Sequence, residues 1–448
     1  MQLTSLKIGG YGMSYLLLFS FIFLPLSASA MTITEFVQKS VETHPQIKVK
    51  KEELSAQKES LTVVRSDYLP SIDLSYSVGP ETTKTIINQR KTANLTRQEA
   101  SADLRWNIFS GLDTMYGVKE QEALILSAGE GVKESANTLA LEAVKAYIDL
   151  IKNKELLDIS KENVQVHQKY LTQIKTKVDA GVGRSSDYKQ TLSRFEHAKS
   201  TMLLAEQNYN NSIASFQRIL PISVSVDELE KPDIGNLPAD SLDELIKLAM
   251  KNNPTILISR ENIKAAKAAL EKSNAPYYPS ADIVAKSYWN KNLHGVSTDS
   301  SNPVVSKYDE DSGYNALLVF NYNIFNGLAD SATKQVNQHK LLQKNSTLID
   351  SKRYIKAYTT IAYQTYQSTK KQLIHIDNNI KASADTVSDY RKENELGRRS
   401  IIDLLNIELE YNAARNRKVT TKYDNILAYY QILSYTGKML EQMNVIIK

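Results

Sequence analysis

The sequence of 448 residues contains no cysteine. A secreted chain of this size can build its core without disulfides, and the absence also removes the N-terminal cysteine on which a bacterial lipid anchor is built. Any attachment to a membrane must therefore come from the fold itself. The net charge of +5 is small, and taken alone it argues neither for nor against nucleic acid as a partner. No nucleic acid is expected among the partners.

Long apolar runs are also missing, with one exception at the N-terminus. Lys7 supplies a positive charge, residues 15–26 are apolar, and residues 28–30 form a small-residue cleavage site. We interpret residues 1–30 as a secretory signal peptide, with the mature chain beginning near Met31. A membrane anchor is the alternative, but an apolar run of about 12 residues is shorter than the roughly 20 that cross a bilayer.

No arrangement of catalytic or metal-binding residues is evident. The six histidines follow no metal-ligand or nucleophile pattern. His167 falls in the apolar seam of a helix and is expected to be structural. The segment from Gly181 to Gly183 is too short for a phosphate-binding loop, and it follows a helix rather than a strand. We therefore expect a protein that is not an enzyme and that uses no cofactor or metal.

What the sequence does contain is a long internal duplication. Residues 32–47 recur at 241–256 with an offset of 209, and residues 106–112 recur at 322–328 with an offset of 216. One structural unit of about 200 residues is therefore used twice. The first copy is predicted at 31–220 and the second at 241–448, joined by a proline-rich linker at 221–240.

Each copy predicts two strands followed by two long helices. In the first strand Ile72, Leu74, Tyr76 and Val78 alternate with serine and aspartate, which is typical of a strand with one apolar face. The expected elements of the two copies are strands at about 70–79 and 99–109, helices at about 111–180 and 186–220, strands at about 278–290 and 313–325, and helices at about 327–396 and 401–436.

The first long helix of each copy carries a coiled-coil seam. No proline occurs between residues 111 and 180, and apolar positions recur at alternating spacings of four and three, beginning with Leu139, Ala143, Ala146 and Leu150. A helix of about 70 residues would be about 105 Å long at ~1.5 Å per residue. The pattern predicts a mainly α-helical, elongated array.

Four amphipathic strands cannot close a barrel within one chain. A bilayer excludes open sheet edges, and a closed barrel needs at least about eight strands. If these strands span a membrane, several copies of the chain must pool them. A small sheet in a soluble subdomain would show the same alternation.

At this point the sequence closely resembles the TolC family of bacterial outer-membrane efflux and secretion channels. The resemblance covers the whole mature chain and rests on motifs present in both copies. They are His44-Pro45 and Asn253-Pro254, the Tyr-x-Pro-Ser strand starts, the Asn-Ile-Phe-x-Gly-Leu strand ends, and the glycine-centred helical turns.

The resemblance implies a homotrimer in the outer membrane. Each protomer would give four strands to one 12-stranded barrel in contact with lipid, and long helices to an α-barrel tunnel in the periplasm. A periplasmic adaptor (membrane fusion protein) and an inner-membrane ABC or proton-driven transporter would be its partners. Residues 395–406 and 96–101 look more like the branch that serves type I protein secretion than the drug-efflux branch.

The resemblance also assigns roles to residues of the two turns and the strands. The turns would form the periplasmic mouth, closed at rest by coiling of the inner helices. The acids could instead simply stabilise the helix that follows each turn. The aperture residues would be Asp187, Asp403, Arg399 and Asn406, where Asn406 replaces an acid of many relatives. The adaptor-docking residues would be Gly181, Val182, Gly183, Ser185, Gly397, Arg398 and Ser400. The membrane-facing aromatics would be Tyr76, Trp106, Tyr314, Phe320 and Tyr322.

The function predicted is a passive exit duct of a tripartite exporter, serving type I protein secretion. One alternative is the same duct serving multidrug or small-molecule efflux. A more distant alternative is a periplasmic coiled-coil scaffold that forms no channel.

Overall fold

The computed structural model describes residues 30–84, 92–223, 225–292 and 310–447. The predicted signal peptide therefore lies outside the described residues, except for Ala30. In the part of the chain described, no helix is both long enough and apolar enough to cross a bilayer.

The helices come in matched sets, as the duplication predicts. Each copy has two short helices before its strands, then one helix of 67 residues and one of 35. Each helix of 67 residues extends about 100 Å at ~1.5 Å per residue. The helices of the first copy are α1 (Ile33–Thr43), α2 (Pro45–Ser66), α3 (Asp113–Asp179) and α4 (Ser185–Ile219). Those of the second are α5 (Leu242–Asn252), α6 (Pro254–Lys272), α7 (Ala329–Glu395) and α8 (Ile401–Tyr435), followed by the short α9 (Met439–Gln442).

Local sequence accounts for where these helices begin. Pro45 and Pro254 occupy the first turns of α2 and α6, where a missing N–H costs nothing. The residue before each proline, His44 or Asn253, caps the helix with its side chain. The His-Pro and Asn-Pro pairs are thus duplicated helix starts.

Four antiparallel strands form one open sheet in the order β1-β2-β3-β4. They are β1 (Ser71–Lys84), β2 (Thr92–Phe109), β3 (Ser280–Lys291) and β4 (Glu310–Asn321). Their limits differ from the expected ones in two ways. The first hairpin is longer than the alternation indicated, because polar residues continue the pairing towards its end. The fourth strand ends at Asn321 instead of about 325, because β4 is an edge strand paired on one side only.

The predicted coiled-coil seams are buried. In α3 the buried seam positions include Leu139, Ala143, Ala146, Leu150, Leu157 and Ile174, and in α7 they include Ile355, Ala362, Tyr366, Ile376 and Val387. The prediction of long packed helices is therefore confirmed.

The largest core lies midway along the long helices, where α1 and the linker pack against α3, α4 and α8. Phe36 and Phe216 stack there with ring centroids 4.2 Å apart. The Tyr147 hydroxyl donates to the carbonyl oxygens of Met31 and Glu230, at 2.7 and 2.6 Å. This core fixes α3 at its middle, so that its two ends carry the sheet and the turn.

Candidate functional site

One face of the sheet is apolar across all four strands. The register places Leu74 opposite Ala102, Trp106 opposite Ile283, and Ala285 opposite Ala316, all on the same side. On the two edge strands this face is exposed, with Leu74 81% and Tyr314 89% exposed, whereas Ala102, Ile283 and Ala285 of the inner strands are half-buried. An exposed apolar sheet of this size indicates contact with a lipid or protein surface.

The five aromatic residues predicted to face the membrane have large exposed areas. Tyr76, Trp106, Tyr314 and Phe320 lie on the apolar face, whereas Tyr322 lies just beyond the end of β4. Trp289 also belongs to this face, because it pairs with Ala100 and Ser312. It was missed because the first strand of the second copy alternates less regularly.

The opposite face is mainly polar and carries charges of both signs, although Val284, Leu317 and Val319 also lie on it. Asp103 is 3.3 Å from Lys286, and Arg105 is 3.6 Å from Asp282. Ser75 and Ser101 share a hydrogen bond of 2.8 Å. The sheet therefore separates an apolar surface from a hydrated one, which is the pattern of a strand between lipid and a water-filled lumen.

The two helical turns have the same backbone geometry. Gly181 and Gly397 adopt left-handed conformations with φ of 74° and 71°. The N–H of the next residue, Val182 or Arg398, donates back to the carbonyl of Lys177 or Glu393 at 3.0 and 2.8 Å. This Schellman-type ending requires glycine at the left-handed position, which explains the duplicated glycine.

The comparisons with known proteins agree with this architecture. The model of the family described as outer membrane efflux protein matches residues 36–220 and 245–438, one segment in each copy. The chain belongs to this family, the TolC family of outer-membrane channels.

Similarity to individual members is low in sequence and extends over nearly the whole chain. The protease secretion protein PrtF of Dickeya chrysanthemi is 19% identical over 428 residues, covering 93% of this chain and 90% of the relative. The outer membrane protein TolC of Vibrio cholerae is 22% identical over 438 residues, covering 92% of each. The crystal structure of the Campylobacter jejuni CmeC outer membrane channel gives a TM-score of 0.77 at 13% identity, covering 91% of this chain and 86% of that one.

Membership in the family confirms several expectations from the sequence. The protein is an outer-membrane efflux channel of the kind used in tripartite systems, with its helices in the periplasm, and it is a transport protein rather than an enzyme. The duplicated, mainly helical fold with four strands is likewise confirmed.

Within this TolC-family chain, Arg399 is held inside its own turn. Its Nε donates to Glu393 Oε2 at 2.9 Å, and its guanidinium lies 4.1 Å from the centre of the Tyr390 ring. Asp403 lies in the first turn of α8, where its N–H donates to the Ser400 hydroxyl at 3.1 Å and its carboxylate accepts from that hydroxyl at 3.0 Å. Ser400 is therefore the N-cap of α8, and Asp403 is an acid of its first turn.

The other turn is built differently, and one chain does not bring the two acids together. Asp187 accepts a hydrogen bond of 3.3 Å from Ser186. Arg184 precedes α4 without capping it by its side chain. Between the described residues of the two turns, no hydrogen bond joins Asp187 to Arg399 or Asp403. Their assignment to the aperture remains a prediction.

Asn406 has a partner that the sequence did not reveal. Its Oδ1 accepts a hydrogen bond of 2.7 Å from Arg194 Nη2 on α4. This hydrogen bond joins α4 of the first copy to α8 of the second. The amide oxygen of Asn406 is therefore engaged within the chain instead of standing free at the opening.

The remaining predicted docking residues surround the two glycines. Val182 is exposed, as are Ser185, Arg398 and Ser400. Gly183 is partly covered, and a Cβ there would lie 2.8 Å from the Val178 nitrogen. Small size at Gly183 is thus required by its own chain.

An ion pair with a buried carboxylate, close to the second turn, was missed by sequence reasoning. Glu408 on α8 is only 2% exposed and accepts hydrogen bonds from Arg391 of α7 and, at 3.3 Å, from the hydroxyl of Tyr170 of α3. The three groups join three helices close to the turns. The only sign of this contact in the sequence is Glu408 itself, a charged residue at a position that the helix packing buries.

His167 was predicted to be structural, and it is buried in the seam. It lines a cavity of about 350 Å³ between α3, α4 and α8, together with Arg194 and His197. Burial, followed by the nearby positive charge of Arg194 and the influence of His197, lowers the pKa of His167 below its usual value. The residue is thus kept neutral by its surroundings.

Proposed function

We propose that this protein is a homotrimeric exit duct in the outer membrane that serves type I protein secretion. A single observation carries the oligomeric part. The chain has a four-stranded sheet with one apolar face, one polar face and both edges unpaired within the described residues. In hydrocarbon each unpaired backbone group costs several kcal/mol, so a lipid-embedded sheet must close on itself.

Three copies would supply twelve strands, enough to enclose a water-filled lumen. The apolar face with Tyr76, Trp106, Tyr314, Phe320 and Tyr322 would meet outer-membrane lipid, with the aromatic rings favoured near its interfaces. The polar face would line the lumen. The long helices would continue the lumen through the periplasm as an α-barrel.

The two turns are proposed as the periplasmic mouth. Asp187, Asp403, Arg399 and Asn406 would surround the aperture, because three copies of each turn would converge there. Carboxylates crowded at a narrow opening favour cations. Gly181, Val182, Gly183, Ser185, Gly397, Arg398 and Ser400 would receive the helical hairpin of a periplasmic adaptor, and an inner-membrane ABC or proton-driven transporter would supply the energy.

Protein secretion is favoured over small-molecule efflux by two observations. The sequence of the second turn, 395–406, resembles the secretion branch, and the relative PrtF is named for the secretion of proteases. Efflux of small molecules is the second candidate, because the matching family is described by efflux. The scaffold alternative is not retained, since the family is one of outer-membrane proteins.

Deleting the gene and comparing two readouts tests the proposal. We expect a protein to disappear from the culture supernatant, whereas sensitivity to dyes and detergents stays within the range of the parent strain. Complementation with the wild-type chain should restore secretion. Unchanged secretion together with increased drug sensitivity would establish the efflux alternative instead.

A further inference from the structure

The cavity between α3, α4 and α8 has the size and the lining of a small ligand site. Its volume is about 350 Å³, and cavities that bind small molecules begin at about this volume. It is lined by His167 of α3, which is 4% exposed, by Arg194 and His197 of α4, and by Asn416 of α8. We refer to it as the His167 cavity.

Two polar atoms of this lining are shielded from solvent and have no hydrogen-bond partner among the described residues. They are Nδ1 of His167 and Oδ1 of Asn416. Proteins seldom retain a buried polar atom without a partner, because its lost hydration is not compensated. A ligand that forms hydrogen bonds with both atoms would remove this cost.

Arg194 brings a positive charge that no carboxylate neutralises within the described part of the chain. It forms no salt bridge there, and its Nη2 donates to Oδ1 of Asn406 at 2.7 Å. A guanidinium has five N–H donors, so several remain for a ligand. None of the side chains that line the His167 cavity is an acid.

These features favour an anion over a metal ion. The charge of Arg194 repels cations, and the described residues contain no group of three or more acidic or histidine side chains that could hold a metal. Arginine and imidazole N–H groups donate to the oxygens of an anion, whereas Oδ1 of Asn416 needs a donor. A hydrogen phosphate carries both acceptor oxygens and a hydroxyl donor, and sulfate and carboxylates lack that donor at neutral pH.

We propose that the His167 cavity binds a phosphate group, either as inorganic phosphate or as a small phosphate monoester. Its oxygens accept hydrogen bonds from Arg194 and from Nδ1 of His167, and its hydroxyl donates to Oδ1 of Asn416. The ligand thereby ties α3, α4 and α8 together. This site goes beyond the exit-duct function and does not depend on it.

Protonation of His167 strengthens the binding. The titratable and charged groups that face His167 in the cavity are Arg194 and His197 of α4, and the lining residues of α8 carry no charge. Burial keeps His167 neutral, and an anion beside the imidazole favours its charged form. Between about pH 7.5 and about pH 6, acidification should therefore favour phosphate binding more in the wild type than in His167→Gln.

Calorimetric titration of the full chain, purified in detergent, tests the ligand class. Inorganic phosphate, glycerol phosphate, sulfate and acetate are compared at neutral pH and constant ionic strength. We expect inorganic phosphate or glycerol phosphate to bind several-fold more tightly than sulfate and acetate. Tighter binding of glycerol phosphate would identify a monoester as the ligand, and tighter binding of inorganic phosphate would identify the free anion.

Two variants test the contacts, and one serves as the matched control. Arg194→Gln should weaken phosphate binding about tenfold, because a charge-assisted hydrogen bond is lost. Arg415→Gln removes an arginine of α8 that is held by Glu162 at 2.8 Å and does not line the cavity, so it should keep the wild-type affinity. Asn416→Leu should abolish the preference for phosphate over sulfate. Thermal unfolding without phosphate checks that each variant is folded.

Several results would overturn the proposal. They are binding of none of the four anions by the wild type, equal losses of affinity in Arg194→Gln and Arg415→Gln, and sulfate binding as tight as phosphate binding. An equal change of affinity with pH in the wild type and His167→Gln would likewise exclude contact between the anion and the imidazole. If Arg194→Gln does not fold, the comparison of phosphate with sulfate in the wild type and Asn416→Leu still decides.

Discussion

His167 is a buried ionisable residue whose charge state should affect stability. Since its pKa is lowered in the folded protein, the unfolded chain binds a proton more readily. The titratable and charged groups that face it in the cavity are Arg194 and His197 of α4, and the lining residues of α8 carry no charge. Stability should therefore fall as the pH drops through the unfolded value near 6.5 towards the lower folded value.

We predict that His167→Gln makes the thermal midpoint less dependent on pH below about 6.5. The measurement is thermal unfolding of the purified protein across a pH series. His375→Gln, at an exposed position of α7, is the matched control and should keep the wild-type profile. Identical acid sensitivity in the wild type and His167→Gln would show that protonation of His167 does not cause the loss of stability at low pH.

The ion pair of Arg391 and Glu408 predicts unequal effects of removing its two members. Arg391 is half exposed, whereas Glu408 is buried. Losing the arginine leaves a buried carboxylate with only the Tyr170 hydroxyl, whereas losing the charge of Glu408 leaves an arginine that water can solvate. Arg391→Met should cost about 2 kcal/mol and Glu408→Gln less. Thermal midpoints of the two variants measure the difference, and a larger loss for Glu408→Gln would contradict the assignment.

At the scale of elements, the first helical turn depends on two glycines for different reasons. Gly181 needs its left-handed φ, and nothing lies within 4 Å of a Cβ there. Gly183 has no positive φ, but its Cβ would meet the backbone and side chain of Val178 at 2.8 and 2.9 Å.

Gly181→Ala should therefore cost about 1 kcal/mol of backbone strain, whereas Gly183→Ala should displace the turn itself. Hydrogen exchange measures this through the bond from the Val182 N–H to Lys177, which should open faster in Gly183→Ala. Gly129→Ala, at a position of α3 where a Cβ would meet nothing within 4 Å, is the control and should leave the turn unchanged. Faster exchange in Gly181→Ala than in Gly183→Ala would refute this account of the turn.

The sequence was sufficient to predict the elements that have a strong period. The seams of α3 and α7 and the alternation of β1 could be read directly, because burial on one face imposes a repeat of 3.5 or 2 residues. The end of β4 could not, since strand pairing at an edge depends on a neighbour rather than on local residues. Long-range polar contacts, such as Arg194 with Asn406, leave no local pattern at all.

At the scale of the whole molecule, Arg399 bears on whether the mouth is closed at rest. Its guanidinium lies between Glu393 and Tyr390 in one turn, and three such turns would surround the opening. We predict that Arg399→Ser raises the resting conductance, because it releases this turn. Lys392→Ser, which removes an exposed cation from the last turn of α7, is the matched control. Unchanged conductance in Arg399→Ser would exclude the residue as a latch.

In the proposed assembly, copies of this chain pool their strands around a continuous lumen. Recording single channels after reconstitution of the purified wild-type protein into planar bilayers tests it most directly. We expect discrete conductance steps, with a preference for cations set by Asp187 and Asp403. A protein that gives no conductance, or that behaves as a soluble monomer without detergent, would contradict it.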